Sequence, residues 1–259
     1  FEQLSAYLQR RHLLLILDSF EDVLPASQQL TRLLQVAPGL QLLVTSRARL
    51  NVQAEQVFPL EGLHYPARAD LARVELNLAD FSALQLFHNA ARQVCPDITL
   101  TPTDLPALAR ICELVDGMPL GLVLAAGWLA TCTPAEIVAE IESSLDFLSS
   151  NWGDLPERQR SLRATLDHSW WLLTGAERQA FQKLSVFQGV FNRQAAEQVA
   201  GISITGLRGL VDKSMLQASP GNYRMHDLLR QYAAEKLIAD EAAASQVRQA
   251  HCIYYLERL

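Results

Sequence analysis

The sequence predicts a multidomain chain, α/β at its start, α-helical after that, with a β-hairpin among helices near its end. Three observations carry this reading. Two short apolar runs, Leu13–Leu17 and Leu40–Thr45, flank a segment of helical period. From about Leu76 the apolar residues recur at helical spacing between capping residues. Near the end, Ser214–Ala218 and Asn222–Met225 flank Ser219-Pro220-Gly221, a turn signal between two strands.

The composition is that of a globular protein. Of 259 residues, 49% are hydrophobic and 19% charged, which argues against long disorder. A formal charge of −6 gives no support to a general nucleic-acid-binding surface. The cysteines Cys95, Cys112, Cys132 and Cys252 lie far apart, so neither a disulfide scaffold nor a zinc site is expected. His88, His168 and His251 show no ligand spacing. The longest apolar stretch, Met118–Ala130, is too short to span a bilayer and contains Pro119, so no membrane partner is expected. A reducing cytoplasm is the expected compartment. The chain opens on Phe1 almost directly into a strand, and it reads as a fragment of something longer.

Taken in order, Phe1–Gln9 reads as the end of an amphipathic helix. Leu13–Leu17 then forms an unalternating strand, expected to be buried on both faces, that ends on Asp18. Ligands of parallel sheets bind outside the carboxyl ends of the strands, where a carboxylate can hold Mg²⁺. Such a run followed by Asp and a short acidic patch, here Glu21 and Asp22, has the form of a Walker B strand. It also fits a core strand whose Asp caps the next turn. Pro25–Val36 is helical, Ala37-Pro38-Gly39 stops it, and Leu40–Thr45 forms a second strand ending in Thr45-Ser46-Arg47. This order is a βαβ unit with a right-handed crossover. It brings Asp18 and Arg47 to one sheet edge. Arg47 can neutralise a terminal phosphate there, although an isolated arginine more often forms a surface ion pair. A third strand is expected at Glu55–Leu60.

The helical part begins with Asp80–Val94. Thr101-Pro102-Thr103-Asp104 caps a helix to Val115. The turn Asp116-Gly117-Met118-Pro119-Leu120 leads into a buried helix, Leu120–Thr131. Thr133-Pro134-Ala135-Glu136 is a capping box for another helix through about Leu148. After a polar connector, Ser149–Pro156, helices are expected at Glu157–Leu173, Gly175–Phe187, Asn192–Val199 and Ile204–Lys213. Helices followed by the hairpin make a winged-helix domain, and His226–Ala239 and Ala243–Leu259 are further helices. Trp170-Trp171 is expected to supply winged-helix core plus one partly exposed ring. A winged helix raises the question of DNA, but Ile204–Lys213 offers only Arg208 and Lys213 beside Asp212. That sparse basic character argues against DNA binding by this winged helix.

Four signals stand in order: Leu14–Asp18, Thr45-Ser46-Arg47, Gly117-Met118-Pro119-Leu120 and Met225-His226-Asp227. Together they resemble the NB-ARC branch of the STAND signal-transduction NTPases, over nearly the whole chain. The resemblance implies the C-terminal part of a P-loop NTPase α/β domain over 1–66 and a helical bundle domain over 67–150. It implies a winged-helix domain over 151–240, and the start of a C-terminal helical, repeat-like region over 241–259.

The resemblance also implies ATP or ADP with Mg²⁺ as cofactors. Asp18 matches the Walker B aspartate that organises Mg²⁺, and Arg47 the sensor arginine that reads the γ-phosphate. Pro119, between Gly117 and Leu120, matches the residue packed against adenine. His226 matches the histidine that reaches the β-phosphate of ADP, with Met225 and Asp227 as its structural neighbours. Expected partners are further copies of the chain in an activated oligomer, an upstream P-loop segment and a C-terminal sensor domain of the same protein.

Two departures from the family pattern stand out. Relatives often carry a second acid after the Walker B aspartate; here it is Ser19, a poor base, leaving Glu21 as the nearest candidate for polarising water. No Gly is followed by Lys, so a G-x-x-x-x-G-K-[ST] loop is absent, and it is expected upstream. These 259 residues alone should bind nucleotide weakly or not at all. Two other readings stay open: a transcription regulator whose DNA-binding domain lies elsewhere, and a degenerate scaffold that does not hydrolyse nucleotide.

Overall fold

The computed structural model of the chain describes residues 1–67, 80–150 and 160–258. They divide into two units: Phe1–Pro59 with Val211–Ser214, and Leu60–Leu210 with Met215–Leu259. The chain is a mixed structure, mostly helical with small sheets.

In the first unit, helix α1 (Glu2–Leu8) precedes strand β1 (Leu13–Leu17). A 3-10 segment (Phe20–Ala26), helix α2 (Ser27–Val36) and strand β2 (Leu40–Val44) follow. β1 and β2 pair in parallel, from Leu13 opposite Leu40 to Leu17 opposite Val44. Leu8, Leu33, Ala37 and Leu40 are buried together, and Leu13, Leu15, Leu34 and Leu42 pack on them. This corrects the expectation of strands buried on both faces. Leu14, Ile16 and Leu43 are 54%, 59% and 53% exposed. Successive strand residues point to opposite faces, and the core lies on one face only. The expected strand at Glu55–Leu60 does not form. Glu55 instead accepts the N–H groups of Leu50 and Asn51, both at 2.9 Å, and closes a local turn. Phe58 and Leu60 beyond it are exposed.

The second unit opens with helices α3 (Ser82–Val94), α4 (Leu105–Leu114), α5 (Pro119–Ala126) and α6 (Pro134–Ser143). α3 packs on α5 and α4 on α6. The capping boxes Thr101/Asp104 and Thr133/Glu136 form, and proline opens both α5 and α6. α5 is apolar nearly all round and buries Leu122, Leu124, Ala125 and Ala126. It ends five residues short of the expected Thr131, continuing as a 3-10 turn (Gly127–Ala130). α6 stops at Ser143, because Ser144 caps a separate 3-10 turn (Leu145–Phe147). Trp128 stacks on Phe147 at 4.5 Å and donates its indole N–H to the Phe147 carbonyl at 2.9 Å.

Helices α7 (Leu162–Trp171) and α8 (Gly175–Leu184) come next. Strand β3 (Val190–Asn192) leads into helix α9 (Arg193–Ala195), which continues as a π turn (Ala196–Ala200). Helix α10 (Ile204–Asp212), strands β4 (Gln217–Ser219) and β5 (Asn222–Arg224), and helices α11 (Asp227–Ile238) and α12 (Glu241–Leu256) complete the chain. The hairpin β4–β5 gains a third antiparallel strand, in the order β3-β5-β4. β3 is too short to show an alternation. Its anchor is Phe191, buried and stacked on Phe187 and Tyr223. Trp170 meets the buried Tyr232 edge-on, whereas Trp171 is 69% exposed with Arg178 over its ring. The connector over 151–156, the start of the helix expected at Glu157 and the change of period near Leu76 lie outside the described residues, as does the first part of the 67–150 region.

Candidate functional site

Two polar clusters gather the residues singled out by sequence, one in each unit. In the first, parallel pairing brings the ends of β1 and β2 level, so Asp18 and Thr45 become neighbours. The Thr45 hydroxyl donates to Asp18 Oδ1 and accepts the Ser19 N–H at 3.0 Å. Ser19 takes a left-handed φ of 56°, and the chain turns away from the strand there. Asp18 is left exposed with one oxygen held by Thr45. Such a carboxylate offers a single protein ligand, and Mg²⁺ bound by one or two carboxylates takes the rest of its shell from water and phosphate oxygens. No group of three or more metal-ligating side chains occurs among the described residues.

Glu21 is buried, which a carboxylate tolerates only with partners. Its Oε2 accepts the Arg47 N–H at 3.3 Å, and its Oε1 lies 3.5 Å from Arg47 Nε. The pair fixes Arg47, about a third exposed, at the strand edge. It also engages both oxygens of the acid that sequence offered as a base.

The second cluster centres on the Asp116-Gly117 turn. Asp116 and Gly117 have left-handed φ angles of 50° and 63°. The Leu63 N–H donates to the Gly117 carbonyl at 2.8 Å. A Cβ on Gly117 would lie 2.1 Å from the Leu63 carbonyl oxygen, and one on Gly62 only 1.8 Å from that of Asp116. The two backbones approach so closely that both positions require glycine. Met118 precedes α5, whose first residue, Pro119, is exposed while Leu120 is half-buried.

Met225 is buried, and His226 caps α11. His226 Nδ1 accepts the Leu228 N–H at 3.1 Å. The neutral ring is therefore assigned its proton on Nε2. That nitrogen is buried and has no hydrogen-bond partner. Asp116 Oδ2 lies 3.6 Å from it, beyond hydrogen-bond reach, while Asp116 Oδ1 accepts the Tyr65 hydroxyl at 3.0 Å. Burial holds the His226 imidazole below its ordinary pKa, with Asp116 and Asp227 opposing and Arg224 reinforcing the shift. Burial and then Asp116 push the Tyr65 phenol up to about 12. Asp227 stands in the first turn of α11 and pairs with Arg230 at 3.4 Å.

The structure thus brings Asp18 to Thr45 and Glu21 to Arg47 in the first unit. In the second it brings the turn before Pro119 to His226. Sequence reasoning missed Thr45, Asp116 and Tyr65 as polar partners. The first two stood inside quoted motifs, and their polarity beside a motif residue was the available signal. Tyr65 lies 51 positions from Asp116 and gave none.

No protein-family profile matches the chain. It is 29% identical over 266 residues to a candidate HTH-type transcriptional regulator of Mycobacterium tuberculosis, covering 98% of this chain and 28% of that protein. It is 30% identical over 237 residues to an uncharacterized protein of the same species, covering 86% of this chain and 57% of the relative. Regulatory protein AfsR of Streptomyces griseus is 29% identical over 249 residues, 90% of this chain and 22% of AfsR. The chain therefore spans only a part of the proteins it matches. A crystal structure of a STAND protein with a tetratricopeptide repeat sensor, from Pyrococcus horikoshii, aligns over 99% of this chain and 32% of its own, at 16% identity. Its TM-score is 0.35, too slight a likeness to bear on the fold.

Proposed function

We propose that this chain is the regulatory core of a nucleotide-switched signalling ATPase of the STAND, NB-ARC type, working inside a larger cytoplasmic regulator. One observation carries the proposal. His226 is a buried ring whose Nδ1 is occupied and whose Nε2–H lacks an acceptor. With no acceptor nearer than the Asp116 carboxylate at 3.6 Å the donor is poorly satisfied, and an anion such as a phosphate would engage it more closely.

In this reading the bound nucleotide supplies a phosphate chain whose length differs between the two states. Asp18, oriented by Thr45, would hold Mg²⁺. Arg47, braced by Glu21, would face the γ-phosphate. Pro119, an exposed rigid ring at the start of α5, would form an apolar wall for adenine. His226 would donate to the β-phosphate of ADP in the closed state. Exchange for ATP would release that contact and allow self-assembly. Each state is populated only as far as its nucleotide binds it better. The phosphate cradle itself would come from an upstream P-loop, and the signal from a C-terminal sensor region.

His226→Ala in the full-length protein should lose retained ADP and raise the oligomeric fraction in size-exclusion runs. Unchanged retention and assembly would overturn the proposal.

Similarity to an HTH-type regulator and to AfsR favours a compatible second reading, in which the switch controls transcription through a DNA-binding domain outside this chain. A non-hydrolysing scaffold is the alternative favoured by Ser19, which stands where relatives carry a second acid. Turnover by the full-length protein that is abolished by Asp18→Ala would exclude the scaffold.

A further inference from the structure

The His226 ring faces a carboxylate that is itself held from three sides. Asp116 sits at a left-handed backbone position, beside a glycine that the Leu63 backbone contacts directly. The Leu63 N–H to Gly117 carbonyl bond fixes the turn, and the Tyr65 hydroxyl fixes Oδ1. That leaves Oδ2 directed at His226 Nε2, 3.6 Å away. The ring is anchored through Nδ1 at the start of α11, which leaves its Nε2–H facing Asp116 Oδ2 with no hydrogen-bond partner.

We propose that Asp116, anchored by Tyr65, is a positioning residue that stands in for the phosphate: it accepts the Nε2–H of His226 when no nucleotide is present and yields it when an anion arrives. Closing the gap takes about 0.6 Å, from 3.6 Å to an ordinary N–H···O distance of about 3.0 Å. An imidazole Nε2 carries a single proton, so it cannot donate fully to Asp116 and to a phosphate oxygen at once. A carboxylate beside the incoming phosphate also repels it. Asp116 therefore opposes nucleotide capture while keeping the ring aimed and its donor from being left without an acceptor. The stand-in contact is a property of the nucleotide-free chain; its displacement by ADP rests on the switch reading above.

The test follows the His226 ring by NMR with labelled histidine, titrating the nucleotide-free protein. The groups facing the ring are Asp116, Asp227 and Arg224, with Tyr65 behind Asp116. Asp116→Asn keeps the shape and removes the charge, and should lower the His226 midpoint by about 1 pH unit. Tyr65→Phe frees the carboxylate from its donor and should move the midpoint the other way. Opposite shifts with the Nδ1–Leu228 bond intact support the contact. No shift in Asp116→Asn, or shifts of the same sign in both variants, overturns it. If Asp116→Asn does not fold, Tyr65→Phe decides alone, a rise supporting the contact and no change or a fall overturning it.

The full-length protein loaded with ADP separates the two claims. Asp116→Asn should move the His226 resonance in the nucleotide-free form and leave it in place in the ADP form. Equal displacement in both forms overturns the hand-over. A protein that takes up no ADP contradicts the switch reading, while the nucleotide-free titration still decides the contact.

Discussion

At the scale of single residues, His226 links folding to pH. Its folded-state pKa lies below the ordinary value, so the folded chain binds fewer protons than the unfolded one. Its contribution to stability is complete above about pH 6.5 and is lost as pH falls towards the folded value. His251 shifts in the same direction, also through burial, so the wild-type acid limb contains both. Urea unfolding at about pH 8 and about pH 5 should show a smaller acid loss in His226→Asn than in the wild type. Equal losses would assign the effect to other groups. Gly117 is the other residue-scale test. A side chain there must adopt a positive φ and push against the Leu63 carbonyl, so Gly117→Ala should cost about 2 kcal/mol or more in the same experiment.

At the scale of elements, the helices announce themselves through caps, and the strands do not announce their faces. Thr133 accepts the Glu136 N–H at 3.3 Å, and Thr133→Ala should cost about 1 kcal/mol of unfolding free energy. The burial of the parallel pair predicts unequal mutants. Leu33→Ala, in the core under the sheet, should cost about 2–5 kcal/mol. Ile16→Thr, on the bare face, should stay within about 0.5 kcal/mol. Comparable losses would mean that the bare face is covered in solution.

The same contrast explains what was legible. A run such as Leu13–Leu17 identifies a strand but not how many of its faces are covered, because coverage is supplied by α1 and α2 from elsewhere in the chain. Val190–Asn192 is too short for periodicity and is a strand because Phe191 stacks between Phe187 and Tyr223. Glu55–Leu60 carried strand-like residues, but its acid found local backbone donors first.

At the scale of the whole molecule, motif residues marked the two polar clusters, and their partners were hidden by sequence distance. Asp18 and Arg47 could be named from the ends of two apolar runs, and Pro119 and His226 only from the resemblance to the NB-ARC family. Thr45 reaches Asp18 through strand register, and Asp116 reaches His226 through the packing of the second unit. Those links are tertiary, and each sets the surroundings of a motif residue: Thr45 holds one oxygen of the Asp18 carboxylate, and Asp116 faces the His226 donor. Among the described residues no helix is long and apolar enough to cross a membrane. The most direct test of the proposed switch is the nucleotide content of the full-length protein. Purified without added nucleotide and then denatured, it should release ADP in a ratio near one per chain, identified by chromatography. His226→Ala should release markedly less. A protein that comes out empty, and stays empty after incubation with ADP or ATP and Mg²⁺, would contradict the switch.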